Sequence, residues 1–149
     1  MRNAMDTTQK YVKMCIQAID IQNNHKPEAW DYYWASYEND PPEIFVISGY
    51  TTDCGYYGIG INDIEQEDYN LIAWLPRQDQ LQDMVKRTVW FETLYRFYEW
   101  INKHSNSDKI EAIFENLTTM EQLWLAFVMH ENFKKIWSET EQTWVIVNE

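Results

Sequence analysis

Lysine, arginine and histidine are missing altogether between Lys26 and Arg77, about a third of this 149-residue chain. The deficit extends to the whole molecule, whose formal net charge is -12 at pH 7. Contacts to phosphate need Lys and Arg, so the balance argues against DNA, RNA or anionic lipid as a direct partner. Cysteine is nearly absent too. Cys15 and Cys54 supply neither a disulfide framework nor a four-ligand zinc set, and read as reduced thiols. The three histidines, His25, His104 and His130, are scattered. No metal and no cofactor is expected. No apolar run approaches the ~18 residues that span a bilayer. The N-terminal MRNAMDTTQKYVKM lacks the apolar core of a secretory leader, which predicts a cytoplasmic protein.

Glycine and proline are few and unevenly placed. All four glycines lie at 49–60, and neither residue type occurs after Pro76. A stretch from Arg77 onward without the two strongest breakers predicts a mostly helical C-terminal half.

What the chain has in quantity is apolar and aromatic residues, at 45% and 16% of the total. That composition can bury a core, and the length suits a single domain over 1–149. Asp6-Thr-Thr-Gln9 has the spacing of a capping box and predicts a first helix with the stripe Tyr11, Met14, Cys15, Ala18 and Ile19. Pro27 can open a second helix, on which Trp30, Tyr33, Trp34 and Tyr37 recur at i, i+3, i+4 and i+7. Ile44–Ile47, the alternating run Tyr57-Gly-Ile-Gly-Ile61 and Tyr69–Leu75 predict three strands with turns at 49–55 and 62–68. Glycine on one strand face marks a bulge or a close approach. After Pro76, one helical stripe runs from Leu81 to Thr88, and Phe91, Leu94, Tyr95, Tyr98 and Ile101 continue it past a break near Thr88. Thr118-Thr-Met-Glu121 predicts another capped helix, running on to Ile136. Thr143–Val147 reads as a last strand returning to the sheet edge. The expected fold is α+β, with a small, mainly antiparallel sheet packed by four to five helices.

Ten carboxylates fill the segment without bases: Glu28, Asp31, Glu38, Asp40, Glu43, Asp53, Asp63, Glu65, Glu67 and Asp68. Aromatic side chains are interleaved with them. A negative surface with aromatic anchors suits a basic partner groove. The bland alternative is a solvated acidic face above an aromatic core. The candidate partner-binding residues are Asp40, Glu43, Asp53, Asp63, Glu65, Glu67 and Asp68, with exposed members of the face Trp30, Tyr33, Trp34 and Tyr37.

Other constellations are weaker. The acidic run 62–68 lacks the ligand spacing and central glycine of a calcium loop. The run 54–60 matches neither glycine-rich phosphate motif and is better read as hairpin glycines. Cys54 as a nucleophile needs a basic partner that the spacing does not supply. Asp79 and Asp83 share a helical face, as a catalytic pair must. The helix dipole explains Asp79 equally well, and pairing with Lys86 or Arg87 explains Asp83.

Two stretches, IAWLPRQDQLQDMV (72–85) and MEQLWLAFVMHENFKKIW (120–137), resemble small, mostly uncharacterised proteins of phages and prophages of Firmicutes. The resemblance carries no active-site residues. It implies an accessory role inside a bacterial cell, of the kind exerted by antagonists of restriction or CRISPR nucleases. The expectation is therefore a non-enzymatic protein that binds a basic, nucleic-acid-binding host protein. Two alternatives stand beside it. One is an enzyme or ligand-binding protein of phage nucleotide metabolism, with its pocket near the glycine-bearing strands and Pro76. The other is a homo-oligomeric assembly partner.

Overall fold

The computed structural model describes residues 5–51, 55–60, 65–66, 69–105 and 116–148. The fold is α+β, every strand pairing among the described residues is antiparallel, and the C-terminal half is largely helical. Backbone contacts gather the chain into two compact units, one of Thr7–Arg77 and one of Met1–Asp6 with Gln78–Glu149.

The first unit begins with α1 (Gln9–Gln17) and the short α2 (Ile19–Gln22). The cap of α1 is Thr8, whose hydroxyl accepts from the Tyr11 amide, two residues later than the predicted Asp6. Tyr11, Met14, Cys15 and Ala18 are buried as the stripe requires, whereas Ile19 is exposed.

Five strands follow: β1 (Tyr32–Ser36), β2 (Glu43–Thr51), β3 (Gly55–Gly60), β4 (Glu65–Gln66) and β5 (Asn70–Leu75). Their order in the sheet is β4-β3-β2-β1-β5. The helix predicted after Pro27 is thus replaced by a strand, and a local hydrogen bond explains why. The Asp31 carboxylate accepts from the Glu28 amide at 2.9 Å and closes a turn where a helix would have to propagate. Trp30 then takes φ 72°, which no α-helix contains. Beyond it Tyr33 and Ala35 are buried while Tyr32, Trp34 and Ser36 are half-buried, the alternation of a strand. The predicted turn at 62–68 contains β4, and β2 extends through Thr51 into the turn predicted at 49–55.

This sheet curls strongly. β4 and β5 are its opposite edges, about 19 Å apart if four strand spacings are laid flat. Only residues 67–69 separate Gln66 from Asn70, and four Cα steps reach at most ~14 Å. The edges therefore draw together around Phe45, Ile47, Tyr33 and Ala73, all buried. Tyr69 lies at the join, its amide donating to Tyr56 and its ring stacked on Phe45 with centroids 3.8 Å apart. Glycine makes the curl possible at position 58, where a Cβ would sit 1.9 Å from the Val46 carbonyl oxygen. Ile47 and Gly49 flank a register shift in the β2–β3 ladder, as expected of glycine beside a bulge.

The far edge of β5 is closed by a side chain. Gln22 donates to the Trp74 carbonyl and accepts from the Trp74 amide, both at 2.8 Å, so a glutamine amide stands in for a sixth strand.

In the second unit, α3 (Gln78–Met84) and α4 (Trp90–Ser105) are broken near Thr88 as predicted. The buried Thr93 hydroxyl accepts from the Arg87 amide in that break. α5 (Met120–Phe133) is capped by Thr119, one residue beyond the predicted Thr118. Gln122, not Glu121, completes the box, reaching back to the Thr118 amide. The reason for the shift is Asp6. Its buried carboxylate accepts from the Thr119 hydroxyl at 2.5 Å and from the Gln122 amide nitrogen at 2.8 Å, fixing both residues. From Trp124 to His130 every residue of α5 is buried, so the helix is enclosed around its circumference.

α5 stops at Lys134, which is left-handed, and Ile136 belongs to β6 (Lys135–Ser138) rather than to the helix. β6 pairs with β7 (Thr143–Ile146) as a separate hairpin. The last strand therefore does not return to the edge of the large sheet. Trp137 and Trp144 face each other across the hairpin with ring centroids 5.3 Å apart, and each strand finds its partner locally.

Candidate functional site

The acidic segment is divided by the sheet. Trp30 lies before β1 and Glu38 to Asp40 lie after it, so the Trp30 end and the acidic turn are at opposite ends of the strand. The registers Ala35 to Glu43, Phe45 to Gly60 and Ile59 to Glu65 bring the ends of β1 and β3 and the starts of β2 and β4 together. The chain positions of Glu38, Asp40, Glu43 and Glu65 thereby share one end of the sheet.

Side-chain chemistry is consistent with that grouping. The Tyr69 hydroxyl donates to the Glu43 carboxylate at 2.6 Å, and Tyr37 packs at an angle against the Tyr69 ring. The Tyr69 pKa is raised, first by burial, then by the bond to Glu43 and by the negative charges of Glu43 and Asp40. Glu43 bonds this phenol and the charge of Asp40 acts on it too, so two carboxylates lie near it at this end of the sheet. Glu38 and Asp40 are exposed there, Glu43 is half-buried, and Glu38 holds a left-handed backbone with φ 47°.

The remaining members of the candidate set fall differently. Asp31 is 1% exposed and is spent internally, accepting from Glu28 and bonded to His25 at 2.6 Å. Tyr33 is buried in the sheet interior, where burial and the nearby Asp31 raise its pKa. Trp34 and Tyr37 are half-buried. Only Trp30, 67% exposed, can serve as a projecting anchor, and it stands at the far end from the acidic turn. Asp53, Asp63, Glu67 and Asp68 lie outside the described residues, as does the side chain of Glu65.

Among the described residues the catalytic alternatives are not gathered into one site. Asp79 and Asp83 are both exposed on α3, and Lys86 stands 3.9 Å from Asp83. His25 stacks on Trp74 at 3.4 Å and bonds Asp31, a structural placement. Cys15 is buried in α1, and Cys54 lies outside the described residues. Among the described residues no three His, Cys, Asp or Glu side chains gather as metal ligands, and no helix is long and apolar enough to cross a membrane.

Two features of the second unit went unread in the sequence. α4 buries Thr93 and Trp100 and stacks the half-buried Phe97 on Trp124 of α5, ring planes 8° apart. The stripe Phe91, Leu94, Tyr95 and Tyr98 is turned to solvent, each residue 48% exposed or more. The signal was present: Phe97 and Trp100 form a second apolar stripe on the same helix, and α5 can cover only one of the two. The other feature is a cleft of about 570 Å³ beside α4 and the end of α5, walled by residues that include Arg96, Trp100, Lys103, His104, His130 and Lys134. It is not the pocket expected near the glycine-bearing strands and Pro76.

No protein-family model, curated protein or solved structure matches this chain.

Proposed function

We propose that this is a non-enzymatic accessory protein that docks the acidic end of its curled sheet onto a basic, nucleic-acid-binding protein and blocks or modulates it. The resemblance of the two quoted stretches to phage proteins favours a bacterial host as the setting for such an antagonist. The observation that carries the reading is the convergence of Asp40 and Glu43 on Tyr69, with Glu38 exposed beside them. Sequence alone offered ten carboxylates without an arrangement. The fold puts Glu38, Asp40 and Glu43 at one end of the sheet, in a chain of net charge -12. Like charges held together by a scaffold attract a basic groove and speed encounter with it.

The test is capture from a Firmicutes lysate at low and at high salt, with and without competing double-stranded DNA. The reading predicts capture of basic nucleic-acid-binding proteins at low salt, their release by high salt, and competition by DNA. The triple variant Glu38→Gln, Asp40→Asn, Glu43→Gln should lose that capture. Retention of the same proteins by the triple variant, or capture indifferent to salt and DNA, would contradict it.

A further inference from the structure

Cations are scarce in this protein, with twelve Lys and Arg against twenty-four Asp and Glu. The cleft beside α4 and α5 reverses that balance. Arg96, Lys103 and Lys134 line it together with His104 and His130, against two carboxylates, Glu99 and Glu131. Both carboxylates are already engaged. Glu131 pairs with Arg96, and Glu99 accepts from the Tyr95 hydroxyl, a bond that raises the Tyr95 pKa. Among the described residues no carboxylate forms an ion pair with Lys103 or Lys134. The cleft thus carries uncommitted positive charge within a negative molecule.

Its size is also that of a small-molecule site. About 570 Å³ falls in the range of ligand pockets, and the lining is mostly polar and charged, as suits an ionic ligand rather than an apolar one. Trp100 is 7% exposed and wedged against Phe127 at 5.4 Å between centroids, giving a fixed apolar wall. His130 is 6% exposed, and its ring meets that of His104 edge to face at 5.2 Å. The position of Lys134 is fixed by the backbone. Its amide bonds the His130 carbonyl, and its φ of 55° is one that helix ends usually give to glycine.

We propose that this cleft binds a small organic anion, a phosphate or carboxylate seated between Lys103 and Lys134 with His104 and His130 beneath it. The site belongs to the helical unit and uses none of the residues assigned to partner docking, so either assignment can fail without the other.

The experiment follows the imidazole proton resonances of His104 and His130 in the full-length protein. Adenosine monophosphate, benzoate and inorganic phosphate are titrated in turn to millimolar concentration. The proposal expects saturable shifts of both histidines with at least one probe, and which probe acts separates phosphate from carboxylate recognition. The variants Lys103→Gln and Lys134→Asn remove exposed ammonium groups, and asparagine tolerates the left-handed backbone at 134. Each should weaken binding about tenfold, the worth of a charged hydrogen bond. Absence of shifts with all three probes, or unchanged affinity in the double variant, would overturn the proposal.

Discussion

Trp30 shows how a single residue can work against its own backbone. A bulky side chain at φ 72° costs of order 1–3 kcal/mol, and here it is held by its amide's bond to Ile47 and by Arg77 on its carbonyl. Trp30→Gly should therefore raise unfolding free energy by about 1 kcal/mol in denaturant titration, because glycine adopts this φ without strain. Glycines 49 and 58 make an opposite pair. Alanine at 58 would drive a Cβ into the Val46 carbonyl oxygen, whereas at 49 it meets the Tyr57 hydroxyl, the far end of a side chain that can swing away. Gly58→Ala should cost about 1–3 kcal/mol and clearly more than Gly49→Ala. Tyr69 carries a pH signature. Its folded pKa lies above the ordinary tyrosine value near 10, so above that pH the folded state holds a proton that the unfolded chain has released. This contribution to stability is complete below about pH 10 and falls as pH rises further. In Tyr69→Phe the alkaline decline should be shallower, as read by denaturant midpoints across that range. The glycine approach at 58 was legible from strand alternation. The strained tryptophan was not, because positive φ at a non-glycine residue leaves no compositional mark.

At the scale of elements, periodicity succeeded where one reading was available and failed where two competed. Ile44–Ile47, Tyr69–Leu75 and the break near Thr88 lie where alternation and stripe spacing put them. Trp30 to Tyr37 fits helical spacing and strand alternation alike, and the carboxylate of Asp31 decides the matter by closing the turn before it. Both capping boxes were displaced, at Asp6 because its carboxylate is used by Thr119 and Gln122, 113 and 116 residues away. Sequence separation hides such a bond. On α4 the two apolar stripes have different energetic roles, which substitution on either side can show. Trp124→Ala, removing the surface on which Phe97 stacks, should cost about 3–5 kcal/mol. Phe91→Ser on the exposed stripe should change stability by no more than about 0.5 kcal/mol.

For the whole molecule, charge is the property that sequence conveyed best and placed worst. The fifty-residue absence of bases was plain, yet composition could not say that Asp31 would be consumed internally or that Trp30 and the acidic turn would stand at opposite ends of a strand. Nor could it say that Arg96, Lys103 and Lys134 would line one cleft. Tyr69, just before β5, is set against both Phe45 and Glu43 of β2, and so the acidic end depends on the topology. The most direct test is the salt dependence of affinity for a captured basic partner, measured in parallel for the native protein and the triple variant Glu38→Gln, Asp40→Asn, Glu43→Gln. Exposed charges are screened beyond a Debye length of about 8 Å at physiological salt, so the native protein should bind progressively more weakly as salt rises. The variant should start weaker and show a flatter slope. Equal affinity and equal slope in the two proteins would contradict the assignment of the acidic end as the docking surface.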